Sequence, residues 1–89
     1  MFQVLYSPGA GKALKKMPMR DARRIFEAIE VLSLVDDPRR YIKKLNGSFE
    51  IPIYSYRVGD CRVILSLNEE VLNIYIIEVG DRSTIYRKY

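Results

Sequence analysis

The sequence predicts a small α+β domain, residues 1–89, with an N-terminal strand, two helices and then a three-stranded antiparallel meander. Two observations predict this order. One clear apolar stripe at helical spacing runs through residues 22–32, and after residue 48 the apolar residues fall into three short runs parted by turn residues. The connections between those runs are short, which makes neighbouring strands antiparallel.

Residues 2–6, FQVLY, read as the first strand. Ser7 followed by Pro8 is a helix start, with the hydroxyl capping and the proline suited to the first turn. The first helix is expected from Pro8 to Met17, weakened by Gly9 and Gly11 and stopped by Pro18. The second helix buries Ala22, Ile25, Phe26, Ile29 and Leu32, and Asp36-Asp37-Pro38 ends it. LNG at 45–47 is a turn, and strands follow at about 49–58, 61–67 and 71–79. Pro52 suggests an edge or a bulge in the first of these.

The Gly59-Asp60 pair suits a two-residue hairpin turn. That turn sets Val58 opposite Cys61, Arg57 opposite Arg62 and Tyr56 opposite Val63. Alternation then gives Cys61, Val63, Leu65 and Leu67 one apolar face. A two-residue second loop adds Leu72, Ile74 and Ile76 to it, and a three-residue loop would invert the last strand. The apolar face carries the helices. The other face holds Ile53, Ser55, Arg57, Arg62, Ile64, Ser66, Asn73, Tyr75 and Ile77. Two arginines facing each other cost a few tenths to about 1 kcal/mol. An anion seated between them offsets that cost, and so do side chains that splay apart.

Fifteen basic residues stand against eleven acidic ones, a net charge of +4. Arg39, Arg40, Lys43 and Lys44 form one basic segment, and Arg82, Arg87 and Lys88 lie in a tail without acids. Such clusters suit a polyanion or a solvated surface. The chain has no histidine and a single cysteine, Cys61, so it carries no internal disulfide and no multi-cysteine metal site. Asp36-Asp37 and Glu69-Glu70 are ordinary solvated acids. SPGAGKA at 7–13 fails as a phosphate loop, with Tyr6 where the first glycine belongs and Ala13 where a hydroxyl should bind magnesium. No metal or cofactor is expected. No apolar run approaches the roughly 20 residues of a membrane span, and residues 1–6 lack a signal-peptide layout, which predicts a cytoplasmic protein.

Four stretches in order, SPGAGKALKKMP at 7–18, PRRYIKKLNG at 38–47, YRVGDCRVIL at 56–65 and VGDRSTIYR at 79–87, span most of the chain. Through them the chain resembles the RelE toxin family, within the RelE/ParE superfamily of type II toxin–antitoxin systems. The resemblance implies a RelB-type antitoxin as partner. It also implies metal-independent cleavage of mRNA in the decoding site of the ribosome, by attack of a 2′-hydroxyl on the adjacent phosphorus. Arg62 matches the family's strand arginine, Arg82 the arginine after the last strand, Tyr86 the tyrosine four residues later, and Arg57 one of two basic residues on the preceding strand. The second of those is Ser55 here, and Cys61 stands where the family has an aromatic.

In-line attack needs positive charge on the phosphate and a group to move the proton. Arg62 and Arg82 supply charge and bidentate contacts to phosphate oxygens, and Arg57 is a further catalytic candidate. Guanidinium groups stay protonated, so Tyr86 is the candidate proton carrier. Arg39, Arg40, Lys43, Lys44, Arg87 and Lys88 are the candidate RNA and ribosome contacts. Tyr54, Tyr56 or Tyr75 could stack a base. Two other readings stay open: a ParE-like inhibitor of DNA gyrase, and a catalytically degenerate relative that binds antitoxin or RNA.

Overall fold

The computed structural model describes residues 1–45 and 51–89, and for Tyr86, Arg87 and Lys88 it describes the backbone. Its elements run β1 (Gln3–Tyr6), α1 (Pro8–Lys16), α2 (Met19–Leu34), a 3-10 turn (Pro38–Tyr41), β2 (Lys43–Lys44), β3 (Ile53–Val58), β4 (Cys61–Asn68), β5 (Asn73–Asp81) and α3 (Arg82–Lys88). The strands form one sheet in the order β1-β5-β4-β3-β2, with β1 parallel to β5 and the other pairs antiparallel. The expected meander is therefore its centre, and β1 and the two-residue β2 are its edges. Among the described residues no helix is long and apolar enough to cross a membrane.

Ser7 caps α1 as its sequence position predicts, accepting a hydrogen bond from the Ala10 N–H at 3.0 Å. Its hydroxyl also donates to the Ile77 carbonyl at 2.6 Å, which ties the helix start to β5. Ile25, Ile29 and Leu32 of α2 join Val63, Leu65, Ile74, Ile76 and Val79 of the sheet in the main core. Phe26 departs from the expected stripe. It is 45% exposed and meets the Tyr6 ring edge to face, with centroids 5.5 Å apart. The five-residue stripe is wider than the strip of helix that the sheet covers.

The β3–β4 hairpin has the predicted register, Arg57 facing Arg62 and Val58 facing Cys61. Gly59 takes φ +59°, a value that glycine adopts at no steric cost. The second hairpin differs. Asn68 faces Asn73, so the loop has four residues, 69–72. Leu72 lies in it at φ +53° and is exposed rather than part of the apolar face. Four is even, so Ile74 and Ile76 keep the side expected from a two-residue loop. Pro52 stands just before β3, and β3 is not an edge because β2 pairs with it. Residues 46–50, which include part of the expected turn and the first two residues of the expected strand at 49–58, lie outside the described residues.

A bulge lies between the pairs Leu65–Ile76 and Ile64–Glu78, leaving Ile77 as the extra residue. An unbroken ladder would set Glu78 opposite Val63 and drive a carboxylate into the core. The extra residue sends Val79 inward instead, and it puts Gly80 opposite Arg62.

The helix α3 is an addition to the expected architecture. It covers the second sheet face, where Ile85 is buried with Ile53 and Ile64 and is flanked by Leu45, Ile77 and Tyr89. Gly80 makes room for it: a Cβ there would come within 3.1 and 3.2 Å of Ile85 side-chain carbons. The Tyr89 hydroxyl pins the far end by donating to Glu78 Oε1 at 3.0 Å.

Candidate phosphate-binding site on the second sheet face

Strand alternation sets Ser55, Arg57, Arg62 and Ile64 on the face that α3 partly covers. Arg57 and Arg62 are direct cross-strand neighbours, and Gly80 is the next residue across from Arg62. Arg82 follows two residues later. Its backbone N–H donates to the Asp60 carbonyl at 3.0 Å, so the start of α3 is fastened to the turn that joins β3 to β4. These pairings bring the backbones of Arg57, Arg62 and Arg82 to one end of one sheet face.

The two facing arginines lean in opposite directions. Arg57 is exposed, and its Nε reaches back toward the Gly59 carbonyl in a long 3.4 Å contact. Arg62 is half-buried, and its Nη1 donates to Ser55 Oγ at 3.2 Å. The like charges are thus drawn apart along the strands, which lowers the repulsion that their register creates. Ser55, a departure from the family pattern, acquires a structural part here. It is buried and aims the Arg62 guanidinium.

Arg82 is exposed and shares a shallow depression with Asp60, Asp81 and Ser83. Cys61 lies in the same end of the sheet. Burial raises its thiol pKa, and the carboxylates of Asp21, Asp81 and Asp60 raise it further while Arg24 opposes them. A packed, protonated thiol fits this environment better than a nucleophile does. Among the described residues no group of three or more His, Cys, Asp or Glu could hold a metal ion.

The other candidates disperse. Tyr86 lies one helical turn beyond Arg82 along α3, followed by Arg87 and Lys88, but the side chains of all three lie outside the described residues. Arg39 forms an ion pair with Glu69, at the opposite end of the sheet from Arg82, and that pair raises its pKa. Arg40 is exposed beside it on the 3-10 turn. Lys43 faces Ser55 and Lys44 faces Tyr54. Of the three candidate stacking rings, Tyr54 and Tyr56 pack on the helix side, where the Tyr56 hydroxyl donates to the Ala28 carbonyl at 3.3 Å. Tyr75 is 39% exposed and lines a cleft with Leu5, Ser66 and Asn73, far along the strands from Arg82. Sequence reasoning missed Gly80 and Ile85, whose contact seats α3. The glycine five residues before a new apolar residue was the available signal.

A five-stranded sheet with two helices on one side, a short helix on the other, and arginines gathered beside that short helix defines a class of small α+β proteins. No protein-family model and no curated protein matches the sequence. Solved structures do match. The archaeal RelE in the RelE–RelB complex from Pyrococcus horikoshii OT3 is 31% identical over 91% of this chain and 94% of its own, with a TM-score of 0.74. The RelBE2 toxin–antitoxin complex from Mycobacterium tuberculosis gives 26% identity over 92% of each chain and a TM-score of 0.68. The isolated E. coli RelE toxin, at 19% identity over 99% of this chain and 94% of its own, shares the fold with a TM-score of 0.67. The chain belongs to the RelE toxin family.

Proposed function

We propose that this protein is the toxin of a type II toxin–antitoxin pair, a single RelE-like domain that cuts mRNA on the translating ribosome in the cytoplasm. The observation that carries the reading is the ladder Arg57–Arg62–Gly80, with Arg82 fastened to the Asp60 carbonyl, in a chain that has no histidine. Three arginines whose backbones meet at one end of a sheet suit a phosphodiester far better than they suit proton transfer.

In this reading Arg62 and Arg82 hold the non-bridging oxygens of the scissile phosphate and stabilise the charge that builds as the 2′-hydroxyl attacks. Arg57 contacts the same phosphate or its neighbour. Tyr86 moves the proton. The 2′-oxygen–phosphorus bond forms, the phosphorus–5′-oxygen bond breaks, and the leaving oxygen takes up a proton. The products carry a 2′,3′-cyclic phosphate and a 5′-hydroxyl. A site without histidine is poorly equipped for acid–base work, so the ribosome supplies much of the rate by holding the message in line. Arg39, Arg40, Lys43, Lys44, Arg87 and Lys88 serve as contacts to ribosomal RNA spread over more than one side of the domain.

Relatives crystallised with RelB support a RelB-type antitoxin as the physiological partner. An acidic, amphipathic segment would screen the arginines and cover apolar surface such as Phe26 and the groove it forms with Tyr6 and Leu14. Expression of the chain, with mRNA 5′ ends and plasmid supercoiling mapped in the same cells, tests the function. Codon-phased mRNA breaks with unchanged supercoiling are expected. Intact mRNA with altered DNA topology would assign the chain to gyrase inhibition, and intact mRNA with normal topology to a degenerate relative.

A further inference from the structure

Lys43 and Lys44 are adjacent in a basic segment, yet β2 sends them to different sides of the sheet. Lys43 pairs with Ser55 and Lys44 with Tyr54. Paired residues of an antiparallel ladder share a face, and successive residues alternate. Tyr54 packs against the main core on the helix side. Ser55 lies on the arginine face, where its Oγ accepts from Arg62. Lys43 therefore rises on the arginine face, and Lys44 does not.

Three features make that placement useful. Ser55 is buried and short, so the Arg62 guanidinium can lie over it, on the side of β4 that faces Lys43. Its hydrogen bond draws the Arg62 guanidinium toward it, which is toward Lys43. Lys43 is exposed and stands roughly 5 Å from Ser55, with Arg57 diagonally about 7–8 Å away, distances that a four-carbon lysine stem spans. An anion between Lys43 and the Arg62 guanidinium would meet a guanidinium fork on one side and an ammonium on the other.

We propose that Lys43, and not Lys44, binds a backbone phosphate of the RNA substrate jointly with Arg62, beside the Arg62–Ser55 hydrogen bond. Naming RNA as the polyanion rests on the function proposed above. The ammonium acts as a point charge, so arginine can replace it in part and a neutral side chain of similar length cannot. Lys44 contributes general electrostatic attraction from the other side of the sheet.

The test compares Lys43→Gln, Lys43→Arg and Lys44→Gln in the full chain. The first readout is an NMR titration with a 2′-O-methyl RNA hexamer, which cannot be cleaved. Wild type and Lys44→Gln are expected to shift the Ser55 and Arg62 amides, and Lys43→Gln to lose those shifts. The log–log salt slope should fall by about 0.7 with the lost phosphate contact. The second readout is single-turnover cleavage on programmed ribosomes. Lys43→Gln should lower the saturated rate about 10- to 100-fold, with most of it restored by Lys43→Arg, while Lys44→Gln raises the half-saturating ribosome concentration. Equal behaviour of the two glutamine variants overturns the proposal, and so does wild-type protein that shows no shift at Ser55 and Arg62. If wild-type protein cleaves no message, the functional reading fails, and the oligonucleotide titration still decides the part of Lys43.

Discussion

Replacing Ile85 by alanine should loosen the element that carries Arg82 while leaving every candidate functional group in the chain. Ile85 is 2% exposed and sits in a small cluster with Ile53 and Ile64, apart from the main core. Buried isoleucine-to-alanine changes cost about 2–5 kcal/mol, and a small satellite cluster belongs at the lower end, about 2–3 kcal/mol. Because α3 touches the sheet through few residues, most of this cost should fall on local opening of the helix. At about 1.4 kcal/mol per tenfold, the open fraction rises roughly 30- to 140-fold. Hydrogen exchange reads this directly. The Tyr89 N–H, bonded to the Ile85 carbonyl at 3.1 Å, should exchange faster by that factor while β4 and β5 amides in the main core change much less. Ribosome-dependent cleavage should fall as well, since a 1 Å misplacement of a contacting group costs on the order of a hundredfold. Unchanged exchange at Tyr89, or equal acceleration across the whole sheet, would refute the idea that Ile85 clamps α3 as a separate unit.

Other perturbations probe the remaining supports. Ser55→Ala removes the acceptor for Arg62 Nη1 and should cost about 1 kcal/mol in a urea titration, with a larger relative loss of cleavage; full activity would show that Ser55 does not aim Arg62. Gly59→Ala should destabilise by about 1–2 kcal/mol, from the left-handed backbone and the Arg24 guanidinium 3.2 Å from the added carbon; a neutral outcome would contradict the turn geometry. Alkaline pH should weaken the fold. Burial raises the folded-state pKa of the Tyr6, Tyr56 and Tyr89 phenols and of the Cys61 thiol, with nearby carboxylates adding to it at Tyr6, Tyr89 and Cys61. The unfolded chain then loses these protons first and binds fewer of them, so stability falls as pH rises through the ordinary thiol and phenol range, about 8.5 to 10 and above. Urea midpoints that fall over that range, less so at its lower end in Cys61→Ala, fit this sign, and a flat or rising profile opposes it.

How far these features are legible in the sequence depends on what determines each of them. The β3–β4 register follows from Gly59-Asp60 alone, because a two-residue turn leaves no freedom of parity. The side taken by Ile74 and Ile76 survives a wrong loop length because four and two are both even. The bulge at Ile77 is invisible in composition, since Ile76, Ile77 and Glu78 read as ordinary alternation until Glu78 must avoid Val63. The helix α3 is also invisible to periodicity. Seven residues cannot sustain a helix alone, and RSTIYRK becomes one because Ile85 finds the space over Gly80. Likewise β2 is too short to signal itself, so Lys43 and Lys44 read as one charged segment until pairing with β3 parts them. The arginines were identifiable as candidates from the sequence. Their joint placement depends on the bulge, on Gly80 and on the Arg82 N–H to Asp60 bond, which are tertiary events.

A double-mutant cycle on Arg62 and Arg82 addresses the central claim, that both grip one phosphate. Single-turnover cleavage at saturating ribosomes would be measured for Arg62→Ala, Arg82→Ala and the double variant, with ribosome affinity followed in parallel. Two groups on one phosphate should be strongly coupled, so the double variant should lose little more than the worse single one while affinity changes only slightly. Losses that multiply independently, or that appear wholly in ribosome affinity, would mean that the two arginines do separate jobs.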